Sequence, residues 1–343
     1  MNYLIVGAGS IGCYVGARLT AAGKRVALVG RQHMISPLSS NGLTVSDLDG
    51  FQAHLTPSQL TLCTSVKEGW QTLQSTNAKG EPTVILLCVK GGATESAAKE
   101  IATECPQGTM VVSLQNGVDN VHRIKKSAPQ LNTVAGMVPY NVTISAPNRV
   151  HRATAGALHL AKSTASLNIA KDFNHSGLTT HLSTDMLSVQ WGKLLLNLNN
   201  PVNALSDLPL VEQLSDRNYR LVLAALQTEA LLVLKKAGIR PAKVSNAPPW
   251  ILPTILRLPN VLFTRIAASM LKMDATARSS MWDDLQRGRK TEIDDLCGAV
   301  VRLAHAHGIK APVNTAMCQL IASHTQGKRL TGEALQKALS LST

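Results

Sequence analysis

The sequence predicts a two-domain α/β protein, with a Rossmann-like N-terminal domain over residues 1–184 and an all-helical domain over residues 185–343. The chain opens with a short apolar run, a glycine-rich turn, a helical segment and a second apolar run. That order is typical of a strand–helix–strand unit in a parallel sheet. After the predicted boundary, apolar residues recur at helical spacing instead. The 343 residues leave room for two domains of ordinary size.

Short apolar runs mark the predicted strands of the first domain. They lie at residues 2–6, 25–29, 83–89, 110–114, 133–138 and 156–160. The runs in the middle of this series are almost wholly apolar, as strands of a parallel sheet covered on both faces should be. In the second domain, apolar periodicity predicts helices at residues 186–200, 217–237 and 291–307. Residues 241–259 contain five prolines and cannot form one regular helix.

The composition limits the partners of the chain. Its net charge of +13 and pI of about 9.7 are compatible with binding a polyanion. The basic residues are scattered, however, and aromatic residues make up only 3% of the chain, so base-stacking surfaces are scarce. We therefore expect no nucleic-acid partner. A basic site for a phosphorylated cofactor and an anionic acid explains part of the excess charge equally well.

The cysteines and the hydropathy pattern indicate a reduced cytoplasmic protein. The six cysteines form no CxxC pair and show no metal-ligand spacing, so no metal is expected. No window of about 18 uninterrupted apolar residues is present, and the first predicted strand begins at Asn2. Neither a membrane span nor a signal peptide is therefore predicted. The oligomeric state stays open, with a homodimer as one option.

A glycine-rich turn links the first predicted strand to a helix. In a GxGxxG turn, the first glycine allows the tight bend and the second lets a pyrophosphate approach the backbone. The third glycine permits close packing of the helix on the strand, and the helix N-terminus faces the negative charge. This context predicts a dinucleotide-binding turn formed by Gly7, Ala8, Gly9, Ser10, Ile11 and Gly12.

Residues at the ends of the later strands select the cofactor. Enzymes that use NAD place an acidic residue at the end of the second strand, whereas this chain has Arg31 there. A guanidinium can form two hydrogen bonds to a 2′-phosphate, so we predict NADP(H); a solvated surface arginine is the alternative. Lys90 and Asn116 end two further strands and are expected to contact the cofactor, with Asn116 also reaching the substrate. The alternative for Asn116 is an ordinary Asn-Gly turn.

Polar residues interrupt the apolar helix predicted at residues 186–200. At about 100° per residue, Lys193, Asn197 and Asn200 fall within one narrow stripe. Burying that stripe without partners would be costly, so either a ligand or a structural polar network must face it. Hydride addition to a ketone develops charge on the oxygen, and an ammonium group can donate a proton to it. We predict Lys193 as the general acid, with both asparagines as substrate ligands.

A further signature lies at residues 278–294, with the sequence RSSMWDDLQRGRKTEID. Together with GAGSIG at 7–12, CVKG at 88–91, QNG at 115–117 and WGKLLLN at 191–197, it resembles the ketopantoate reductases, which reduce 2-dehydropantoate with NADPH. The resemblance covers nearly the whole chain. It implies a Rossmann-like domain followed by a helical domain like that of 6-phosphogluconate dehydrogenase. It also implies reduction of 2-dehydropantoate to (R)-pantoate in pantothenate biosynthesis.

The resemblance also implies a role for individual positions. Lys193 matches the proton donor and Asn197 matches a substrate ligand. Ser280 matches a ligand of the substrate carboxylate, and Glu292 matches a glutamate at the nicotinamide end of the site. Val142 matches a position whose backbone contacts NADP.

Two of these positions have structural alternatives. Ser280 could cap a helix that begins at Met281, and Glu292 could pair with Arg289 on a helix surface. Taken together with the other motifs, we favour the functional interpretation of both.

The spacing of the asparagines departs from the family pattern. The family usually has its second asparagine eight residues after the lysine, whereas Asn200 comes seven residues after Lys193. This leaves open a reductase for a different 2-keto acid or ketone. A catalytically silent protein that senses NADPH is a further alternative, although such a protein needs no proton donor.

Overall fold

The computed structural model describes residues 1–77, 80–244, 247–268, 275–325 and 327–341. The chain divides into two compact units, Met1–Met186 and Leu187–Thr343. Within the described ranges, the strands are β1 (Asn2–Val6), β2 (Val26–Val29), β3 (Leu43–Asp47), β4 (Gln52–Leu55), β5 (Thr61–Cys63), β6 (Thr83–Leu87), β7 (Met110–Ser113), β8 (Asn132–Met137), β9 (Val142–Ala146), β10 (Arg149–Arg152), β11 (Leu158–Ala161) and β12 (Thr180–Ser183). The helices are α1 (Ser10–Ala21), α2 (Gln32–Asn41), α3 (Val66–Ser75), α4 (Thr94–Glu104), α5 (Asn120–Ser127), α6 (Thr164–His175), α7 (Met186–Asn197), α8 (Asn199–Ser206), α9 (Leu210–Ser215), α10 (Arg217–Lys236), α11 (Leu252–Arg257), α12 (Asn260–Ile266), α13 (Ser280–Gln286), α14 (Cys297–Ala306), α15 (Pro312–Ala322) and α16 (Gly332–Ala338).

The first unit is built around an eight-stranded sheet in the order β12–β11–β8–β7–β6–β1–β2–β5. Neighbouring strands are parallel, except that β11 runs antiparallel to β8. The six strands from β5 to β8 follow the Rossmann order, in which the direction of winding reverses between β1 and β6. The predicted Rossmann-like domain is therefore confirmed. The six predicted strands are also present, with ends that differ by at most two residues.

The central strand β1 is an unbroken apolar run from Tyr3 to Val6, and both of its faces are buried. Tyr3 and Ile5 belong to the apolar cluster on one face of the sheet, and Leu4 and Val6 belong to the cluster on the other face. All four side chains are almost fully buried. Burying an aliphatic side chain of this size contributes roughly 1.5–3 kcal/mol relative to leaving it exposed. A polar residue at any of these positions would lose that contribution.

Two glycines allow the turn after β1 to pass close to its neighbours. Gly7 has φ +113°, and a Cβ there would lie 2.7 Å from the backbone of Cys88 and Val89. A Cβ at Gly12 would overlap the carbonyl oxygen of Gly7. Any larger residue would therefore push α1 away from β1, or β1 away from the end of β6.

The sequence did not predict the second sheet of this unit. It has four strands in the order β4–β3–β10–β9, and it packs on α1. Its strands are short and contain polar residues, such as LTVSD in β3 and RVHR in β10. Because β10 pairs with β3 across about 100 residues of chain, local periodicity gives no sign of the pairing.

A buried carboxylate, Asp47 at the end of β3, ties the second sheet to α1. It accepts four hydrogen bonds, from the Tyr14 hydroxyl (3.0 Å), Arg18 Nη1 (2.9 Å) and the backbone N–H groups of Asp49 and Phe51 (both 3.0 Å). Burial by itself raises the pKa of Asp47, but the hydrogen bonds and a nearby guanidinium lower this pKa overall. The folded unit therefore stabilises the charged form of the carboxylate.

The long helix α10 is the centre of the second unit. It packs against α8, α9, α11, α14, α15 and α16. Its Arg220 is fully buried, which would be costly for an unpaired charge. The guanidinium donates to the carbonyl oxygens of Leu214, Ser215, Leu256 and Leu258 and to Asn260 Oδ1. These hydrogen bonds fasten α9 and the connection between α11 and α12 to α10.

Two predicted helices of this unit were wrong in extent. The helix predicted at 186–200 divides into α7 and α8, because Pro201 has no N–H to donate to Asn197 and crowds that carbonyl. The helix predicted at 291–307 begins only at Cys297, after a short 3-10 turn at Ile293–Asp295. Leu296, at φ −106° and ψ −93°, separates the two.

No helix in the described ranges is long and apolar enough to cross a membrane.

Asp47→Asn is expected to lower the free energy of unfolding at pH 7 by roughly 1.5–3 kcal/mol, the usual contribution of a hydrogen bond to a charged group. Since folding lowers the pKa of Asp47, its stabilisation is complete above the unfolded-state pKa of about 3.9 and is lost as the pH falls through the folded-state pKa. The difference between wild type and variant should therefore shrink at pH 3. Urea unfolding followed by circular dichroism at both pH values measures it.

Asp49→Asn is the matched control, because Asp49 is 67% exposed, unlike Asp47, although both carboxylates lie near the buried guanidinium of Arg152. It should lower the free energy of unfolding by less than about 1 kcal/mol. Equal losses for the two variants would contradict the assigned role of Asp47.

Candidate active site

The predicted cofactor residues of the first unit follow the ends of adjacent parallel strands. The last residues of β2, β1, β6 and β7 lie side by side in register. Gly7 directly follows β1, Arg31 follows β2 by two residues, and Lys90 and Asn116 follow β6 and β7 by three. Arg31 and Lys90 are exposed and Asn116 is half-buried. The fold thus brings these four residues to one edge of the sheet, where open parallel sheets bind their ligands.

The glycine turn leaves open space at its second glycine. A Cβ at Gly9 would meet no heavy atom of the described residues within 4 Å, so packing within the protein does not require glycine there. Gly9 is the N-cap of α1, and Ser10 and Ile11 form its half-buried first turn. Backbone N–H groups in a first turn have no partner within the helix and suit an anion. Ala8, in contrast, is buried in the core.

A buried polar network behind this edge was missed by sequence reasoning. The Gln115 amide donates to the Val89 carbonyl oxygen (2.9 Å) and to Thr94 Oγ1 (2.7 Å). Thr94 Oγ1 donates in turn to Asn120 Oδ1 (3.0 Å), and Asn120 Nδ2 donates to the Asn116 carbonyl oxygen (2.6 Å). The network therefore holds the backbone next to Lys90 and the backbone of Asn116. The glutamine directly before Asn116 was the available signal.

Val142 is separated from the other predicted cofactor residues by the topology. It begins β9, at the edge of the four-stranded sheet, where it pairs with Arg152. Its side chain is buried in the same apolar cluster as Ala8. An edge strand keeps backbone groups available to a ligand, and the backbone contact of Val142 with the cofactor stays a prediction.

In the second unit, α7 carries Lys193 and Asn197, one helical turn apart. Both are half-buried, as is Asn200 at the second position of α8. Leu198 between the two helices keeps φ −60° and ψ −12°, and its N–H still donates to the Leu194 carbonyl oxygen (3.0 Å). The helical rotation therefore nearly continues, and the predicted stripe is preserved across the break.

The environment of Lys193 favours its neutral form. Burial lowers the pKa of Lys193 to about 8, because an ammonium group loses solvation when it leaves water. One side of α7 packs tightly here, since a Cβ at Gly192 would overlap the Ala242 carbonyl oxygen. An amine with a pKa close to neutral can both donate and accept a proton at physiological pH.

Of the neighbouring asparagines, two are engaged in holding the fold. Asn199 Nδ2 donates to Gln213 Oε1 (3.1 Å). Asn203 Oδ1 accepts from the Ser279 N–H (2.8 Å), and its Nδ2 donates to the Leu208 carbonyl oxygen (2.9 Å). Asn200 is thus the one of the three whose amide has no such structural bond among the described residues.

The two serines at the start of α13 have different roles. Ser279 is the N-cap, since its Oγ accepts from the Trp282 N–H (3.2 Å), and it also donates to the Asn200 carbonyl oxygen (3.2 Å). Ser280 is the exposed first residue of the helix. The capping alternative for Ser280 is therefore wrong. The hydrogen bond of Ser279 holds the start of α13, with Ser280, next to Asn200.

Glu292 is half-buried and immediately precedes the 3-10 turn at Ile293–Asp295. It does not lie on a helix, contrary to the predicted helix at 291–307. Arg289 pairs instead with Asp284 (3.1 Å). The alternative of an Arg289–Glu292 pair on a helix surface is therefore wrong.

Family comparison agrees with both halves of this description. The family model for "Ketopantoate reductase PanE/ApbA" matches residues 3–164, and the model for the C-terminal part of the same family matches residues 185–325. The chain belongs to the ketopantoate reductase family.

Individual relatives extend over nearly the full chain. A 2-dehydropantoate 2-reductase of Halobacterium salinarum is 26% identical over 328 residues, covering 94% of this chain and 98% of the relative. The crystal structure of a PanE/ApbA family ketopantoate reductase from Ralstonia eutropha JMP134 has a TM-score of 0.76 and 26% identity, covering 94% and 97% of the two chains. The ternary structure of a D-mandelate dehydrogenase with NADH and anilino(oxo)acetate has a TM-score of 0.72 over 99% and 100% of the chains, and at 20% identity it shows the fold alone.

Ser279→Ala is expected to lower the free energy of unfolding by about 1 kcal/mol, the usual cost of removing a serine N-cap. Ser280→Ala should change it by less than about 0.5 kcal/mol, because Ser280 is exposed and does not cap the helix. Urea unfolding monitored by circular dichroism distinguishes the two. A loss for Ser280→Ala as large as that for Ser279→Ala would mean that Ser280 is structural.

Proposed function

We propose that this protein reduces 2-dehydropantoate to (R)-pantoate with NADPH, the reduction implied by its family for pantothenate biosynthesis. The observation that carries the proposal is the half-buried Lys193, with a pKa lowered to about 8, one helical turn from Asn197 in a member of this family. A proton donor and an amide ligand at that spacing suit a 2-keto acid. A protein that only binds NADPH would need neither.

The residues at the edge of the large sheet fit a dinucleotide. The space at Gly9 and the first turn of α1 suit a pyrophosphate, and the exposed Arg31 can form two hydrogen bonds to a 2′-phosphate. Lys90 adds a second cation, and Asn116 offers a donor and an acceptor. When bound, NADPH would supply the hydride for the reduction.

The residues of the second unit would handle the proton and the substrate. Lys193 Nζ would donate a proton to the ketone oxygen as charge develops there. Asn197 and Asn200 would hold hydroxyl and carboxylate groups of the acid, with Ser280 as a further carboxylate ligand. Glu292 would act at the nicotinamide end of the site.

One observation favours a second candidate, a reductase for another 2-keto acid. Asn200 lies one residue earlier than the usual family position, and Asn203 cannot take its place because both of its amide atoms hold the fold. The pocket could thus suit an acid with a different arrangement of hydroxyl groups. The fold itself is compatible with other 2-keto acid chemistry, since it is shared with a protein described as a D-mandelate dehydrogenase.

The decisive experiment is NADPH oxidation by the purified protein with 2-dehydropantoate and a panel of other 2-keto acids. Turnover that is fastest with 2-dehydropantoate supports the proposed reaction. Turnover with another acid alone supports the second candidate. Tight NADPH binding without any turnover would contradict both and would favour a sensor.

Lys193→Ala is expected to lower kcat by roughly 10²–10⁴, the usual contribution of a general acid, with little change in NADPH affinity. Because the donor must be protonated and the pKa of Lys193 is about 8, wild-type kcat/KM should fall as the pH rises above this value. Steady-state kinetics from pH 6 to pH 10 measures both effects. Lys236→Ala, at the exposed end of α10, is the control, and equal kcat values in the two variants would remove Lys193 from the mechanism.

Arg31→Ala is expected to raise the Kd of NADPH by roughly 10-fold to 100-fold, since it removes charge-assisted hydrogen bonds to the 2′-phosphate. The Kd of NADH, which lacks that phosphate, should change little. Fluorescence titration with each nucleotide measures the two constants, and Gln32→Ala at the exposed neighbouring position is the control. Equal weakening of both nucleotides would show that Arg31 does not bind the phosphate.

A further inference from the structure

Two cysteines of the second unit lie against each other. Cys297 is the first residue of α14 and is fully buried, whereas Cys318 lies in α15 and is half-buried. The two helices pack together, and the two thiols are close enough to influence each other's pKa. The sequence separates these cysteines by 20 intervening residues, so only the packing of the helices creates the pair.

The outer thiol of the pair faces an open cavity. Cys318 lines a cavity of about 410 Å³ together with Arg289, Lys290, Asp294 and His324. A small solute in this cavity would therefore lie next to Cys318. Cys297 lies behind it in the core, where solvent does not reach.

The electrostatic surroundings favour a reactive thiol at Cys318. The neighbouring Cys297 thiol lowers the pKa of Cys318, burial and the Asp294 carboxylate oppose this, and the Arg302 guanidinium assists it. Burial instead raises the pKa of the Cys63 thiol to about 11 and those of the Cys13 and Cys88 thiols to about 12. The thiolate is the reactive form, so Cys318 differs from all three thiols in the direction of its pKa shift, and from the buried Cys13 and Cys63 in its access as well.

We propose that Cys318 and Cys297 form an oxidation site, in which Cys318 reacts with hydrogen peroxide and Cys297 then closes an intramolecular disulfide. The Cys318 thiolate attacks one oxygen of the peroxide, so that an S–O bond forms, the O–O bond breaks, and the leaving hydroxide takes up a proton to become water. The sulfur of Cys318 is thereby oxidised by two electrons to a sulfenic acid.

The second step consumes the inner thiol. The sulfur of Cys297 attacks the sulfenic sulfur, so that the S–S bond forms, the S–O bond breaks, and the leaving hydroxide takes the proton of Cys297 to become water. In sum, two thiols and one peroxide give one disulfide and two waters. The product joins α14 to α15, next to the loop that bears Glu292.

The test is peptide mapping of the full-length protein by mass spectrometry after brief treatment with hydrogen peroxide. We expect a Cys297–Cys318 cross-linked peptide that has lost two hydrogen atoms and that dithiothreitol restores. In Cys297→Ser, dimedone should instead capture a sulfenic acid at Cys318. In Cys318→Ser, Cys297 should stay reduced, and the matched control Cys63→Ser should retain the cross-link. Absence of the cross-link in the wild type, or its persistence in Cys318→Ser with another cysteine, would overturn the proposal.

A second measurement needs no variant and therefore does not depend on how a substituted core folds. Iodoacetamide alkylation of the native wild-type protein at pH 7.5 should modify Cys318 at least about tenfold faster than Cys13, Cys63 or Cys88, since a higher thiolate fraction outweighs the lower nucleophilicity of each thiolate. Rates that are equal across the four sites would contradict the assignment of Cys318 as the reactive thiol.

Discussion

The close backbone contact at the start of the first unit is the constraint on which the candidate cofactor site depends. The backbone at Gly7 lies so close to the residues after β6 that a Cβ there would be 2.7 Å from the backbone of Cys88 and Val89. Gly12 lets α1 approach the same turn. Because β1 can therefore lie directly beside β6, the ends of four parallel strands meet at one edge of the sheet. Arg31, Lys90 and Asn116 follow three of these strand ends. The Gln115 network then holds the backbone behind this edge.

In the second unit, structural side chains hold the candidate chemical ones in place. Asn203 and Ser279 bind each other and the surrounding backbone, and Ser279 also binds the carbonyl of Asn200. Among the described residues, the side chains of Asn200 and Ser280 on these adjacent helices form no structural hydrogen bond of their own. Gly192 allows α7 to pack closely on the backbone at Ala242, and Lys193 is the next residue. The residues expected to bind the substrate thus lie close in the sequence to residues that stabilise the fold.

The pKa values of Asp47 and Lys193 are both lowered, but with opposite effects on the charge of the side chain. Asp47 is buried with donors around it, and its pKa falls so that the charge is kept, which ties the second sheet to α1. Lys193 is buried where lost solvation is the main effect, and its pKa falls towards neutrality so that the charge is easily given up. The first arrangement stabilises a fold. The second is typical of groups that transfer protons.

The sequence by itself determined the features that depend on neighbouring residues. Apolar runs identified the strands of the large sheet, the glycine spacing identified the turn, and helical periodicity aligned Lys193 with Asn197. Contacts between distant segments were decided only by the tertiary structure. The pairing of β3 with β10, the hydrogen bond between Asn203 and Ser279, and the Cys297–Cys318 pair all depend on which elements pack together. Such contacts leave no local periodicity, because they arise when separate segments bury a shared surface.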